Sequence, residues 1–200
     1  MKSTSVKEAR IRRRRTEILQ AAASLFQEVG YHDTTTHAIA ERGGMSVGLI
    51  YQYFGNKADV LQAVIVDILE DFRDVVPKAM ADASDPVDRL RLGFGALLQV
   101  IDDKPEATVL AYRESMTLTK EGRDEVKRLD IETAEPFRQA IVDGIEAGRF
   151  APVDAPLVVH NILLTAHGWA LKRWRLHTWL DLETYTQREF DLLLRAIRAE

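Results

Sequence analysis

The chain has 200 residues, 46% of them hydrophobic and 29% charged, with a net charge of −4, the composition of a globular protein able to bury a core of its own. It contains no cysteine, which excludes disulfide scaffolds, thiol catalysis and cysteine-ligated zinc. No uncharged apolar run approaches the roughly 20 residues of a membrane span, and no apolar stretch backs the basic start, so a cytoplasmic protein with no membrane contact is expected.

Helical periodicity runs along almost the whole chain and strand alternation along almost none of it, which predicts an all-α fold. From about Glu8 to Val29 an apolar stripe (Ile18, Leu19, Ala22, Leu25, Phe26, Val29) falls at three- and four-residue steps before Gly30 stops the helix. After a turn at Tyr31–Thr34, a short helix is expected over Thr35–Arg42 with Ile39 and Ala40 facing inward, ended by Gly43-Gly44. Ser46 is a natural N-cap for a second short helix to about Phe54. Asn56 with Asp59 opens a longer helix to about Val76. Beyond it the pattern predicts helices over 86–102, 105–116, 121–147, 155–177 and 182–199, with Pro136 kinking or breaking the third of these.

Two short helices joined by a tight glycine turn, after a longer first helix, form the helix-turn-helix pattern, whose second helix enters the DNA major groove. Charge agrees with this reading. Residues 1–57 hold nine Lys/Arg against five Asp/Glu, whereas residues 58–200 hold eighteen against twenty-six. A basic end on an acidic body places the polyanion-binding face in the first unit. The expected domains are a helix-turn-helix unit with a basic arm (1–57) and a larger helical domain (58–200).

Residues 14–61 resemble the tetracycline-repressor (TetR) family of bacterial one-component regulators. The likeness is carried by Ile18-Leu19, Ala21-Ala22, Leu25-Phe26, Gly30-Tyr31, Thr34-Thr35-Thr36, Ile39-Ala40, Gly44, Ser46, Gly48, Ile50-Tyr51, Tyr53-Phe54, Asn56-Lys57 and Leu61 at the family's spacing. The resemblance implies that Thr36 meets phosphate at a helix N-terminus and that His37 lies on base or backbone. It places Ser46, Val47, Gly48, Tyr51 and Gln52 toward the groove, with Tyr53 and Lys57 as phosphate clamps. Arg14 and Arg15, in the run from Arg12, would reach backbone or an adjacent minor groove.

The resemblance also implies a homodimer on a near-palindromic operator, with the last two helices of each chain at the interface. Leu163, Trp174, Phe190 and Leu194 are the expected dimer residues. The middle helices would enclose a pocket for a small apolar effector, with Phe94, Leu98, Tyr112, Arg113, Met116, Phe137, Ile141, His167, Trp169 and Arg173 as its walls. Cations among aromatics over 169–175 are similar to regulators that sense acyl-coenzyme A thioesters. No cofactor is called for. Two other readings stand beside this one. His160 and His167 lie seven residues apart on one helical face and could ligate a metal with a third group, in an enzyme or a metal sensor. Alternatively, the protein binds DNA and has no effector.

Overall fold

The first helix, α1 (Lys2–Glu28), buries Ile18, Leu19, Ala22, Leu25 and Phe26 and stops where Gly30 takes a φ of +88°, a left-handed conformation that costs glycine nothing. In this computed structural model the backbone is described for residues 2–199 and side chains for residues 9–199. The regular structure of the described residues consists of α-helices, one 3-10 turn (Ser115–Thr117) and an isolated bridge between Phe150 and Arg198.

The next two helices are short and individually capped. Thr35 accepts a hydrogen bond from the Ala38 amide at the start of α2 (Thr36–Arg42), and Ser46 accepts one from the Leu49 amide at the start of α3 (Val47–Tyr53). Between them Gly44 adopts a φ of +60°, which turns the chain within a few residues. Ile39, Ala40, Ile50 and Phe54 then pack against the buried stripe of α1. Arg42 fastens the open side, donating 2.7 Å hydrogen bonds to both carboxylate oxygens of Glu28, which draws the Glu28 carboxyl down to about 2.

A reciprocal capping box between Asn56 and Asp59 opens α4 (Lys57–Met80), which is buried on nearly every side through Val60, Leu61, Val64, Ile65, Ile68, Leu69 and Phe72. An apolar face this broad, with the charged side chains confined to a narrow strip, places the helix at the centre of a domain. Accordingly α4 packs on α1 behind it and on α5 (Pro86–Asp103), α6 (Pro105–Glu114) and α7 (Lys120–Glu146) ahead of it. Three further helices, α8 (Ala155–Leu171), α9 (Arg173–Leu176) and α10 (Leu182–Ile197), complete the domain, with α8 and α10 against α5.

α1 begins at Lys2, ahead of the expected Glu8, α6 gives way to a 3-10 turn at Ser115, and three helices of the larger domain depart further from the sequence expectation. α7 runs unbroken through Pro136, because the residues around it, Thr133, Phe137, Ala140 and Ile141, are fully buried. Interior proline costs about 3 kcal/mol, and each large apolar side chain buried contributes about 1.5–3 kcal/mol in return. α4 likewise continues through Pro77 to Met80, which is itself buried. The expected single helix over 155–177 instead breaks at Lys172 (φ −114°, ψ 19°). The chain folds back there so that the His177 ring lies 4.4 Å from Trp169, whose indole N–H donates to Asp102 at 2.8 Å.

Candidate DNA-reading face and effector cavity

Gly48, Tyr51 and Gln52 lie three and four residues apart on α3 and form its exposed face, with Tyr51 52% accessible. Across the turn Thr36 opens α2, and its hydroxyl lies 3.3 Å from the Tyr51 hydroxyl, so the N-terminus of α2 and the face of α3 form one surface. His37 is exposed beside it. Val47 is half-buried against the core, and the Ser46 hydroxyl oxygen is engaged as a cap.

Three of the expected DNA contacts have other partners. Lys57 does not stand free as a phosphate clamp. Its ammonium donates to the carbonyls of Tyr31 (2.7 Å), His32 (2.9 Å) and Thr34 (2.7 Å), closing the turn between α1 and α2. Those carbonyls have no helical partner, and a cation that reaches all three satisfies them at once. Tyr53 is half-buried and, with Arg15, lines a crevice between α1, α4 and α7 rather than the face that carries Tyr51. Arg14 pairs with Glu17 at 2.7 Å, while Arg15 is exposed.

In the larger domain a cavity of about 310 Å³ opens between α4, α6, α7 and α8. Its apolar wall is Ile68, Leu69 and Phe72 of α4 with Val126 of α7. Small residues, Thr108 and Ala111 on one face of α6 and Ser115 in the 3-10 turn that follows it, line the same space. Two of its polar groups, Tyr112 and His167, are joined by a 2.8 Å hydrogen bond between the Tyr112 hydroxyl and His167 Nδ1. Burial pushes the Tyr112 phenol up and brings His167 down to about 4, so the imidazole is neutral at pH 7.

Most of the other expected pocket residues are elsewhere. Phe94, Leu98, Phe137 and Ile141 are solid core, because α5 and α7 meet there without a gap. Met116 is 80% exposed and Arg113 is also on the surface. Trp169 and Arg173 are drawn to Asp102, at 2.8 Å and 3.9 Å, on the far side of α8. His160 is exposed, and the described residues contain no group of three or more His, Cys, Asp or Glu placed to hold a metal, so the histidine pair lacks a ligand set.

Two family models match the chain. Residues 18–64 match the one described as bacterial regulatory proteins, tetR family, and residues 83–196 match the tetracyclin repressor-like C-terminal domain. The protein belongs to the TetR family. The transcriptional regulator HbdR of Aromatoleum sp. (strain CIB) is 34% identical over 184 residues, which cover 92% of this chain and 80% of HbdR. The repressor KstR2 of Mycolicibacterium smegmatis is 28% identical over 163 residues, 80% of this chain and 78% of that one. Among solved structures, the TetR-family regulator PfmR of Thermus thermophilus superposes with a TM-score of 0.80 at 27% identity, covering 89% of this chain and 97% of PfmR. AibR, solved with isovaleryl coenzyme A and operator DNA, shares the fold with a TM-score of 0.75 at 21% identity, over 90% of this chain and 98% of its own.

The TetR-type helix-turn-helix is thus the part whose helices and caps were legible in the sequence. Sequence reading missed the α4 wall of the cavity and Thr108. The signal for Thr108 was available: small residues at 108, 111 and 115 share one helical face, where a packed helix would carry Leu or Ile. Ile68, Leu69 and Phe72 gave no such signal, since an apolar stripe facing a void reads the same as one facing a neighbour.

The expected dimer residues are divided in a similar way. Leu163 and Phe190 are buried within the chain and Leu194 is half-buried, whereas Trp174 is 75% exposed. The apolar surface left open on the last helices is Leu157 and Leu164 on α8, Trp174 and Trp179 around α9, and Leu192 on α10. No helix among the described residues is long and apolar enough to cross a membrane.

Proposed function

We propose that this TetR-family protein is a ligand-responsive, cytoplasmic repressor of transcription that binds a near-palindromic operator as a homodimer and is released by a small apolar effector. The observation that carries the reading is the position of α4. Its first residue, Lys57, closes the turn between α1 and α2 that leads into the helix-turn-helix, and fifteen residues further on Phe72 walls the cavity. A ligand that prefers one placement of α4 therefore biases the spacing of the two recognition helices of a dimer, with a coupling of about 1–3 kcal/mol.

In this reading Gly48, Tyr51 and Gln52 enter the major groove, with Gln52 placed to read adenine, while Thr36, His37 and Arg15 hold the flanking backbone. Leu157, Leu164, Trp174, Trp179 and Leu192 form the four-helix dimer contact. The effector is an acyl thioester or a molecule of similar body. A cavity of about 310 Å³ accepts the acyl group, and the coenzyme A nucleotide extends through the mouth beside Lys127. The isovaleryl coenzyme A bound by AibR and the repressor activity in the name of KstR2 support this assignment.

Fluorescence anisotropy tests it directly. Labelled duplexes tiling the DNA upstream of the protein's own gene are titrated at near-physiological salt with nonspecific competitor, and short acyl-coenzyme A thioesters are then added to the complex. Tight binding to one duplex and release by a thioester is the expected result. Uniform weak binding to every duplex, there and in a genome-wide site selection, overturns the operator claim. A flat response to a metabolite panel in thermal-shift assays favours a regulator without an effector.

A further inference from the structure

The cavity holds one feature that its apolar walls do not explain. Thr108, 2% exposed, lines it, and its hydroxyl is the buried side-chain group without a hydrogen-bond partner among the described residues. A helical threonine ordinarily satisfies its hydroxyl on the carbonyl one turn back, as Thr133 does on Leu129 at 2.9 Å. Thr108 does not, and a buried hydroxyl left without a partner forfeits the hydrogen bonds it made to water.

The other polar groups around the cavity narrow what could answer it. The Tyr112 hydroxyl and His167 Nδ1 are 2.8 Å apart and half occupy each other, and the imidazole is uncharged at neutral pH. Among the described residues of the lining, Lys127 is the one cation. Its side chain is 71% exposed and its ammonium lies 3.4 Å from Asp124, so it serves the mouth and not the interior. Asp130, also on the lining, adds a negative group on the same side. A carboxylate carried inward would find no counter-charge, and an unpaired buried charge costs more than this site offers in return. An uncharged oxygen loses little on entry and meets donors and acceptors already in place.

We infer that the buried end of the effector is a neutral oxygen function, a hydroxyl or a carbonyl on an apolar body, held by the Thr108 hydroxyl beside the Tyr112–His167 pair, with any anionic part of the molecule left at the mouth near Lys127. This rests on the assignment of the cavity as the effector site and adds the chemistry that selects the ligand. The volume supports the size of body: about 310 Å³ is about twice the roughly 150 Å³ in which an apolar protein cavity holds a benzene ring.

Shape-matched probes test the inference. Isothermal titration and thermal shift are measured with 2-phenylethanol, acetophenone, ethylbenzene and phenylacetate, on the wild-type dimer and on Thr108→Val. The substitution keeps the side-chain shape and removes the unpartnered hydroxyl, so the ligand-free variant is expected to melt higher than wild type. Against the alcohol and the ketone it should bind about five- to tenfold more weakly, the value of one neutral hydrogen bond, while ethylbenzene binds as well or better. Phenylacetate should be weaker than 2-phenylethanol on the wild type. An equal effect of Thr108→Val on all the probes, or phenylacetate as the tightest ligand, overturns the inference and leaves the cavity as an effector site of another chemistry. Failure of every probe to bind the wild type at millimolar concentration overturns both.

Discussion

The Lys57 ammonium lies 4.6 Å above the ring of Tyr31 while donating to that residue's own carbonyl at 2.7 Å, so one side chain holds both the backbone and the aromatic ring of the turn that precedes α2. The sequence pattern casts Lys57 as a contact to DNA; the geometry makes it a fastener that fixes α2 and α3 relative to α4. Its loss therefore reaches DNA through the protein. Lys57→Ala is expected to lower stability by about 2 kcal/mol, since hydrogen bonds to a charged donor contribute about 1.5–3 kcal/mol. Operator affinity should fall with an unchanged dependence on salt. A salt slope reduced by about 0.9, with no loss of melting temperature, would return Lys57 to the phosphate backbone.

Arg15 and Gln52 should respond in the opposite pattern. Arg15 is exposed in the basic run of α1, beside the crevice that Tyr53 lines, and as a phosphate contact it predicts that Arg15→Ala weakens binding to every duplex alike and lowers the salt slope by about 0.9. Gln52→Ala removes a groove-facing amide. It should cost about 1–3 kcal/mol on the operator, relax selection at one base pair in each half-site and leave the salt slope alone. Competition anisotropy across single-base operator variants at several salt concentrations separates the two.

Phe190 and Leu164 divide core from interface. Phe190 is 2% exposed and stacks near Phe94, with ring centroids 6.4 Å apart, so Phe190→Ala should cost about 3–5 kcal/mol of stability whatever the oligomeric state. Leu164 is 44% exposed on α8. Leu164→Glu is expected to yield a folded monomer by light scattering, with its helical circular dichroism preserved and its operator affinity lost. A dimer that survives this change would move the interface away from the outer face of α8.

Buried His167 gives the cavity an acid sensitivity of defined sign. Its value is about 4 in the folded protein against 6.5 when solvated, because burial disfavours the imidazolium. Between those values the unfolded chain binds a proton that the native protein refuses, so stability rises with pH across that range and is lost as pH falls from 6.5 through 4. The loss amounts to about 3 kcal/mol when complete. His167→Gln should abolish this component of a denaturation series measured between those pH values, leaving the carboxylate-driven loss at lower pH. Glu28, held at about 2 by Arg42, belongs to that lower range: its contribution is present above the ordinary value of 4.5 and disappears as pH falls through 2.

Local chemistry made much of this protein legible from its residues. Ser46, Asn56 with Asp59, Gly30 and Gly44 mark helix ends through interactions within four residues of themselves, and such signals survive without knowledge of the fold. The same locality carried the helix-turn-helix and its exposed triad Gly48, Tyr51 and Gln52. What tertiary structure decided was the fate of residues whose partners are distant in sequence. Lys57 is turned from DNA to the carbonyls of residues 31, 32 and 34 because the α1–α2 turn comes within its reach. Phe137 and Tyr112 are both aromatic residues of middle helices. One is solid core where α5 packs on α7, and the other lines a cavity that opens between α4, α6, α7 and α8. An apolar periodicity records which face of a helix avoids water, and only the packing of the whole chain determines whether that face meets another side chain or a space that a ligand can fill.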